Sequence, residues 1–169
     1  MQKIKNLIRK YFDIPSNFFQ FENRYLVIAT LFGIGYVKKA PGTLASFVSL
    51  LFFSILFIIS PSLVVIVTTL VIILGLYVCE KCYTQENQDP QYIVIDEMAG
   101  MGISMLLVGE SIILGILAFI IFRILDIKKP WIIGSSEKSF KGGLSIMIDD
   151  ILAGFITLII IVIISIFIR

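Results

Sequence analysis

Histidine is absent from this 169-residue chain, which excludes a histidine nucleophile, a histidine general base and any metal site built on imidazole. Cysteine is nearly absent: Cys79 and Cys82 form one CxxC pair, with no second pair and no histidine to complete a zinc site. No βαβ pattern, which would favour a redox role, surrounds the pair. We therefore interpret these residues as two ordinary cysteines at the end of an apolar helix.

Charge is also sparse, whereas long apolar runs are abundant. Charged residues make up 15% of the chain and the net charge is +2, which is too small to indicate a nucleic-acid partner. Hydrophobic residues make up 58% and the mean hydropathy is +1.00, beyond the range of soluble domains. Three runs without a charged residue are each close to the length that crosses a bilayer: Leu44 to Ile59, Ser62 to Val78 and Ile151 to Ile168. The sequence predicts an integral membrane protein.

The segment from Met98 to Phe122 could form one long span, or a hairpin broken near Val108 to Ser111. The hairpin puts all 14 lysines and arginines except Arg169 on one side of the membrane, which the positive-inside rule makes the cytoplasm. Each half would be too short to span, so short or re-entrant helices buried against their neighbours are expected. Small residues in both halves favour such close packing.

The predicted fold class is all-α, an integral membrane bundle of about five to six helices that includes this short or re-entrant hairpin. Residues 1–24 are interpreted as a basic cytoplasmic or interfacial arm, and residues 25–169 as a single membrane-embedded domain. Another short apolar helix is expected from Tyr25 to Val37. No oligomeric state is indicated.

Two acidic pairs stand out from the apolar background. Asp96 and Glu97 open one apolar helix, Asp149 and Asp150 open another, and Asp126 lies among basic residues. Such acids can simply cap helices at headgroup level, but two pairs on one predicted face favour a shared cation site. Ligands that offer only oxygen favour Mg²⁺ over Mn²⁺ or Ca²⁺.

Basic residues near these acids fit a phosphate ligand. Arg123, Lys129 and Lys141 are predicted phosphate contacts, and the Gly-rich turn before Thr43 offers free N–H groups with Lys38 or Lys39. The spacing of cysteine phosphatases and of aspartyl nucleophiles is absent. What remains is phosphoryl chemistry by metal-activated water, with an unassigned carboxylate as general base.

Four motifs in order carry a family resemblance. They are Gly35-Tyr36 with Ala40 to Thr43 and Ser46; Asp89-Pro90 with Val94 to Glu97 and Gly100; Phe122-Arg123 with Asp126 to Trp131; and Lys141 to Gly143 with Met147, Asp149-Asp150 and Ala153-Gly154. In these motifs the chain resembles the phosphatidylglycerophosphatase A family, over roughly residues 30–157. The chain departs from the family pattern at Lys38, Ala45 and Leu125, and it lacks the histidine that the family often has before Asp89. These differences bear on the substrate preference and on the conformation of the first loop.

The resemblance implies Mg²⁺-dependent hydrolysis of phosphatidylglycerophosphate to phosphatidylglycerol, upstream of cardiolipin, at the cytoplasmic face of the bacterial inner membrane. It implies Asp96, Glu97, Asp149 and Asp150 as metal ligands and adds Asp126 to the catalytic acids. The phosphate contacts it implies are Arg123, Lys129 and Lys141, with Thr43 in support; Lys39 is added from the loop pattern described above. A separate hypothesis concerns substrate entry: the acyl chains stay in the bilayer while the terminal phosphate reaches the cytoplasmic rim, between the Ala99/Gly102 and Ala153/Gly154 helices.

Two other classes remain as alternatives. A cation transporter or channel subunit could use the same acidic cluster, but it predicts acids spread through the bilayer depth. Here all 12 acids except Glu110 fall on one predicted face. A lipid-binding scaffold is also compatible with the sequence, although it gives no reason for two acidic pairs beside basic residues.

Overall fold

A computed structural model describes residues 11–15, 24–84, 90–109, 111–130, 133 and 140–168. These residues contain six α-helices and no extended strand, which confirms the predicted all-α class. The helices are α1 (Arg24–Ala29), α2 (Pro41–Ile59), α3 (Pro61–Cys82), α4 (Ile95–Met105), α5 (Ile112–Lys128) and α6 (Gly143–Ile168), with a 3₁₀ helix at Ile34–Tyr36.

The three long helices correspond to the three apolar runs. Among the described residues, α2, α3 and α6 are long and apolar enough to cross a membrane. Proline opens α2 and α3, where its missing N–H has no intrahelical partner to lose, and extended Ser60 joins the two. Ile55, Ile73 and Ile159 are each more than half exposed, as lipid-facing side chains should be. The protein is a membrane protein.

The segment from Met98 to Phe122 forms a hairpin and not one span. Helix α4 ends at Met105, Gly109 takes a positive φ of 72°, and the Ser111 hydroxyl accepts from the Leu114 N–H at the start of α5. The first turn of α4 and the last turns of α5 meet, since Arg123 lies 3.8 Å from Glu97. The predicted hairpin is therefore confirmed.

Helix α4 lies at the centre of the bundle, packed against α2, α3, α5 and α6. Its contact with α6 brings two backbones together: a Cβ on Gly154 would lie 2.5 Å from the Gly100 carbonyl oxygen. A Cβ on Gly100 would lie equally close to the Asp150 carbonyl oxygen. The glycine contact leaves no room for a ligand between the two helices at that level, and the predicted route of the substrate stays a prediction.

The region before α2 differs from the single helix expected from Tyr25 to Val37. Helix α1 ends at Ala29, and the chain turns through Leu31, Phe32 and Gly33, all with positive φ. The Thr30 hydroxyl accepts from the Gly33 N–H at 3.1 Å, which favours a turn over another helical residue. Most of the predicted arm at residues 1–24 lies outside the described residues.

The glycine contact between α4 and α6 yields a stability prediction. Gly154→Ala is expected to destabilise the protein by about 1–3 kcal/mol, because the added methyl overlaps backbone that cannot move aside. The thermal unfolding midpoint in detergent measures the change. Gly115→Ala is the matched control, since its Cβ would have its nearest neighbour at 3.5 Å and alanine favours helix by up to about 1 kcal/mol. Equal midpoints for the two variants would contradict the close crossing.

Candidate active site

A cavity of about 390 Å³ lies where the first turn of α2, the start of α4, the end of α5 and the first two turns of α6 meet. Eight of the ten sequence-predicted site residues line it: Thr43, Asp96, Glu97, Arg123, Asp126, Lys129, Asp149 and Asp150. Residues more than 100 positions apart in the chain are thus gathered at one end of the bundle.

Three carboxylates form a tight cluster in this cavity. Asp96, Glu97 and Asp150 each offer an oxygen, and these oxygens all lie within 4.8 Å of one another. Asp96 and Asp150 are only 9% and 4% exposed. Glu97 Oε2 and Asp150 Oδ2 are buried without a hydrogen-bond partner in the described structure. Buried carboxylate oxygens without partners are costly unless a cation or a proton joins them.

The glycines of two neighbouring helices bring these acids together. Asp96 and Asp150 each lie four residues, or about one helical turn, before the glycine that makes the α4–α6 contact. Glu97 is further confined by α2, because a Cβ on Gly42 would overlap its carboxylate. Gly42 thereby allows the first turn of α2 to close over the acid cluster.

Arg123 supplies the positive charge on the α5 side. Its guanidinium forms an ion pair with Asp126, lies 3.8 Å from Glu97 and donates to the Ser46 hydroxyl at 3.4 Å. Ser46 in turn donates to the Gly42 carbonyl at 2.8 Å. The Arg123 side chain is only 13% exposed, so these contacts fix its position at the cavity wall.

Lys129 supplies the second cation. It ends α5 in a left-handed conformation, with φ of 41°, and its Nζ lies 2.7 Å from Asp149 Oδ2. Asp149 therefore faces a lysine, while the three-acid cluster consists of Asp96, Glu97 and Asp150. A metal-ligand role for Asp149 stays a prediction, as do the roles of the other acids.

The charges lining the cavity do not balance. Among the described residues, its walls carry five carboxylates and only two cationic side chains, Arg123 and Lys129. Burial, together with the neighbouring Asp150 carboxylate, raises the pKa of Glu97, on the short helix α4, to about 8. A divalent cation would offset this excess of negative charge. An all-oxygen donor set of two or three carboxylates fits Mg²⁺.

Two predicted phosphate contacts lie elsewhere. Lys39 and Lys141 are exposed, and neither lines the cavity. The loop carrying Lys39 instead delivers the N-terminal turn of α2, and Lys141 precedes α6, whose Gly143 N–H donates to the Glu80 carboxylate. Their phosphate-binding roles remain predictions without a contact in this cavity.

Two polar lining residues were not predicted, Gln91 and Ser145. Ser145 lies four residues before Asp149 on α6, so helical spacing could have indicated that it faces the same side. Its hydroxyl donates to the Gly142 carbonyl at 2.7 Å. Gln91 lies in a turn before α4, where no periodicity indicates which side chains face the cavity.

The family model for phosphatidylglycerophosphatase A matches residues 27–165. Escherichia coli (strain K12) has a phosphatidylglycerophosphatase A that is 32% identical over 153 residues, which are 89% of each chain. The Haemophilus influenzae protein of that name is 33% identical, over 80% of this chain and 85% of its own.

A Bacteroides thetaiotaomicron protein, described as a candidate phosphatidylinositol-3-phosphatase, is 34% identical over 76% of this chain and 86% of its own. No solved structure matches. With the family model covering most of its length, the chain belongs to the phosphatidylglycerophosphatase A family.

Proposed function

We propose that this enzyme hydrolyses the terminal phosphomonoester of phosphatidylglycerophosphate, giving phosphatidylglycerol and inorganic phosphate, with Mg²⁺ in its acidic cavity. One observation carries the proposal: Asp96, Glu97 and Asp150 converge within 4.8 Å in a cavity that also holds Arg123 and Lys129. Acids for a hard cation beside bases for an anion are what phosphomonoester hydrolysis requires. The names of the relatives in two bacteria support this substrate.

Asp96, Glu97 and Asp150 would hold the metal ion, with their unpartnered oxygens Glu97 Oε2 and Asp150 Oδ2 available to it. When bound, Mg²⁺ would polarise a phosphoryl oxygen and lower the pKa of a coordinated water. The protein holds its part of the site rigidly, because Asp96 and Asp150 sit on helices whose backbones touch. Preorganised charge of this kind stabilises a transition state without reorganisation.

The substrate phosphate would meet Arg123 and Lys129, each oriented by its own carboxylate partner. Asp126 pairs with Arg123, and Asp149 pairs with Lys129 at 2.7 Å. The first turn of α2, with Gly42 and Thr43 on the cavity wall, adds N–H groups of the kind that lack helical acceptors. These donors would balance the negative charge that develops on the phosphoryl oxygens.

The acyl chains would approach along α5. Ile120, Ile124 and Ile127 are each at least 45% exposed, and Ile127 also lines the cavity. This apolar stripe connects the surrounding lipid with the acid cluster. A lipid substrate could therefore stay in the bilayer while its terminal phosphate reaches the cavity.

A cation transporter remains the alternative function. It would need charged groups along a path through the bilayer, whereas the described acids of the cavity gather at one end of the bundle. The assays below distinguish the two, because only a phosphatase releases phosphate.

Purified wild-type protein in detergent is expected to release phosphate from phosphatidylglycerophosphate with Mg²⁺ and not after chelation. Asp150→Asn should lower this rate by about a hundredfold or more, because it removes a carboxylate from the three-acid cluster. Without Mg²⁺ the variant should be at least as stable as wild type, since it relieves repulsion between buried carboxylates. Mg²⁺ should raise the thermal unfolding midpoint of wild type and leave that of the variant unchanged.

Each arm of this experiment can contradict the proposal. Equal phosphate release before and after chelation would show that the reaction does not need Mg²⁺. No release from a well-folded wild type would favour the transporter, which cation flux into liposomes would test. A parallel assay with phosphatidylinositol 3-phosphate addresses the activity named for the Bacteroides relative.

Lys129→Gln is expected to lower kcat/KM by about ten- to a hundredfold, the effect of losing one charged hydrogen bond. Lys129 lines the cavity and contacts Asp149, whereas its neighbour Lys128 is exposed and does not line it. Lys128→Gln is thus a matched control that removes the same charge one residue away. Equal losses in the two variants would exclude a specific phosphate contact at Lys129.

The cavity is proposed to face the cytoplasm, where the positive-inside rule puts its lysines and arginines. A cysteine introduced at Lys128 should then react with a membrane-impermeant thiol reagent only from the cytoplasmic side. One introduced at Ser60, between α2 and α3, should react only from the other side. The native Cys79 and Cys82 are buried and provide little background. Labelling of both positions from one side would contradict this topology.

A further inference from the structure

A second cavity, of about 570 Å³, adjoins the acidic one. The two share Pro41 and Gln91 as lining residues, so two groups of one molecule can be recognised by neighbouring cavities. The second cavity has a different chemistry. Its only described lysine or arginine is Lys38, and the three-acid cluster does not line it.

This cavity is shaped by specific packing. A Cβ on Gly35 would overlap the Tyr92 carbonyl, so glycine lets the turn before α4 lie directly against the 3₁₀ helix. The rings of Tyr36 and Tyr92 stack there, with centroids 5.6 Å apart and planes 25° apart. The two segments therefore form one continuous wall.

Asp13, in a short stretch near the N-terminus, also lines this cavity. Phe12 and Val37 form an antiparallel bridge. The Asp13 N–H donates to the Tyr36 carbonyl at 2.9 Å, and the Lys38 N–H donates to the Tyr11 carbonyl at 3.0 Å. These backbone hydrogen bonds fix the position from which the Lys38 side chain extends.

The Lys38 side chain is partly exposed, so an anion can approach its ammonium. Its Nζ is 3.2 Å from Asp13 Oδ1, but the two side chains are 40% and 74% exposed. An exposed ion pair of this kind contributes only about 0–1 kcal/mol, so a ligand can compete for the lysine. Gln91 and the tyrosines add neutral polar groups beside it.

We propose that the second cavity binds the phosphodiester of the lipid headgroup, with Lys38 as its cation, while the terminal phosphomonoester occupies the acidic cavity. This inference rests on the proposed function, whose substrate carries both phosphates on one glycerol. A phosphodiester keeps a single negative charge and suits one lysine. The phosphomonoester carries more charge and suits the metal, Arg123 and Lys129. Lys38 is then a specificity-determining residue. Through it the enzyme prefers lipids whose headgroup carries a phosphodiester as well as the terminal phosphomonoester.

The two reaction products probe the two cavities separately. Phosphatidylglycerol keeps the phosphodiester and lacks the phosphomonoester, whereas inorganic phosphate has only the group that the acidic cavity would bind. In Lys38→Gln, the inhibition constant for phosphatidylglycerol and the KM for phosphatidylglycerophosphate should both rise about three- to tenfold, the loss of one partly exposed charged contact. The inhibition constant for phosphate should stay within twofold of wild type, and kcat should change little.

Charge is the variable under test, so Lys38→Arg should retain most of the wild-type affinity and Lys128→Gln should match wild type throughout. The proposal is overturned if phosphatidylglycerol fails to inhibit the wild type, if both inhibition constants rise together, or if neither changes. A wild type that releases no phosphate from phosphatidylglycerophosphate would instead refute the proposed function, which is a separate result.

Discussion

The backbone contact between Gly100 and Gly154 is the constraint on which the site depends. Because neither residue has a side chain, α4 and α6 approach until a Cβ at one would lie 2.5 Å from the carbonyl oxygen of the other helix. Asp96 and Asp150 lie one turn before these glycines, so the same contact that packs the bundle also sets the spacing of the carboxylates. Larger residues at Gly100 or Gly154 would push the two helices apart and would thereby also move the acids away from each other.

The same packing creates an electrostatic cost that a bound cation or a proton can relieve. Five carboxylates share the cavity with Arg123 and Lys129, and buried oxygens of Glu97 and Asp150 have no hydrogen-bond partner in the described structure. Hydrophobic packing of α4 within the bundle offsets this cost, since most of its residues are buried. Stability is thus lower at the site than packing alone would allow, as expected where preorganised charge serves catalysis.

Much of this arrangement could be predicted from the sequence because membranes impose strong rules. Charge-free runs predict α2, α3 and α6, and the distribution of lysines and arginines predicts the hairpin of α4 and α5. The acid pairs at helix starts indicate the site. Local sequence does not reveal contacts between distant segments, such as Lys129 with Asp149 or Gln91 with the cavity. Nor does it predict the turn after Ala29, where a hydrogen bond from the Gly33 N–H to the Thr30 hydroxyl competes with an apolar helical pattern.

The division between long and short helices explains how so apolar a chain can hold a polar site. Helices α2, α3 and α6 are long and apolar enough to cross the bilayer, and their lipid-facing sides need no charge. Helix α4, with 11 residues, is too short to span, so its first turn need not lie at the lipid surface but can be enclosed by its neighbours. Asp96 and Glu97 are therefore shielded from lipid by protein, while the cavity remains open to a phosphate. The second cavity extends this logic, because a non-helical wall at Lys38 and Gln91 adds polar contacts without interrupting any spanning helix.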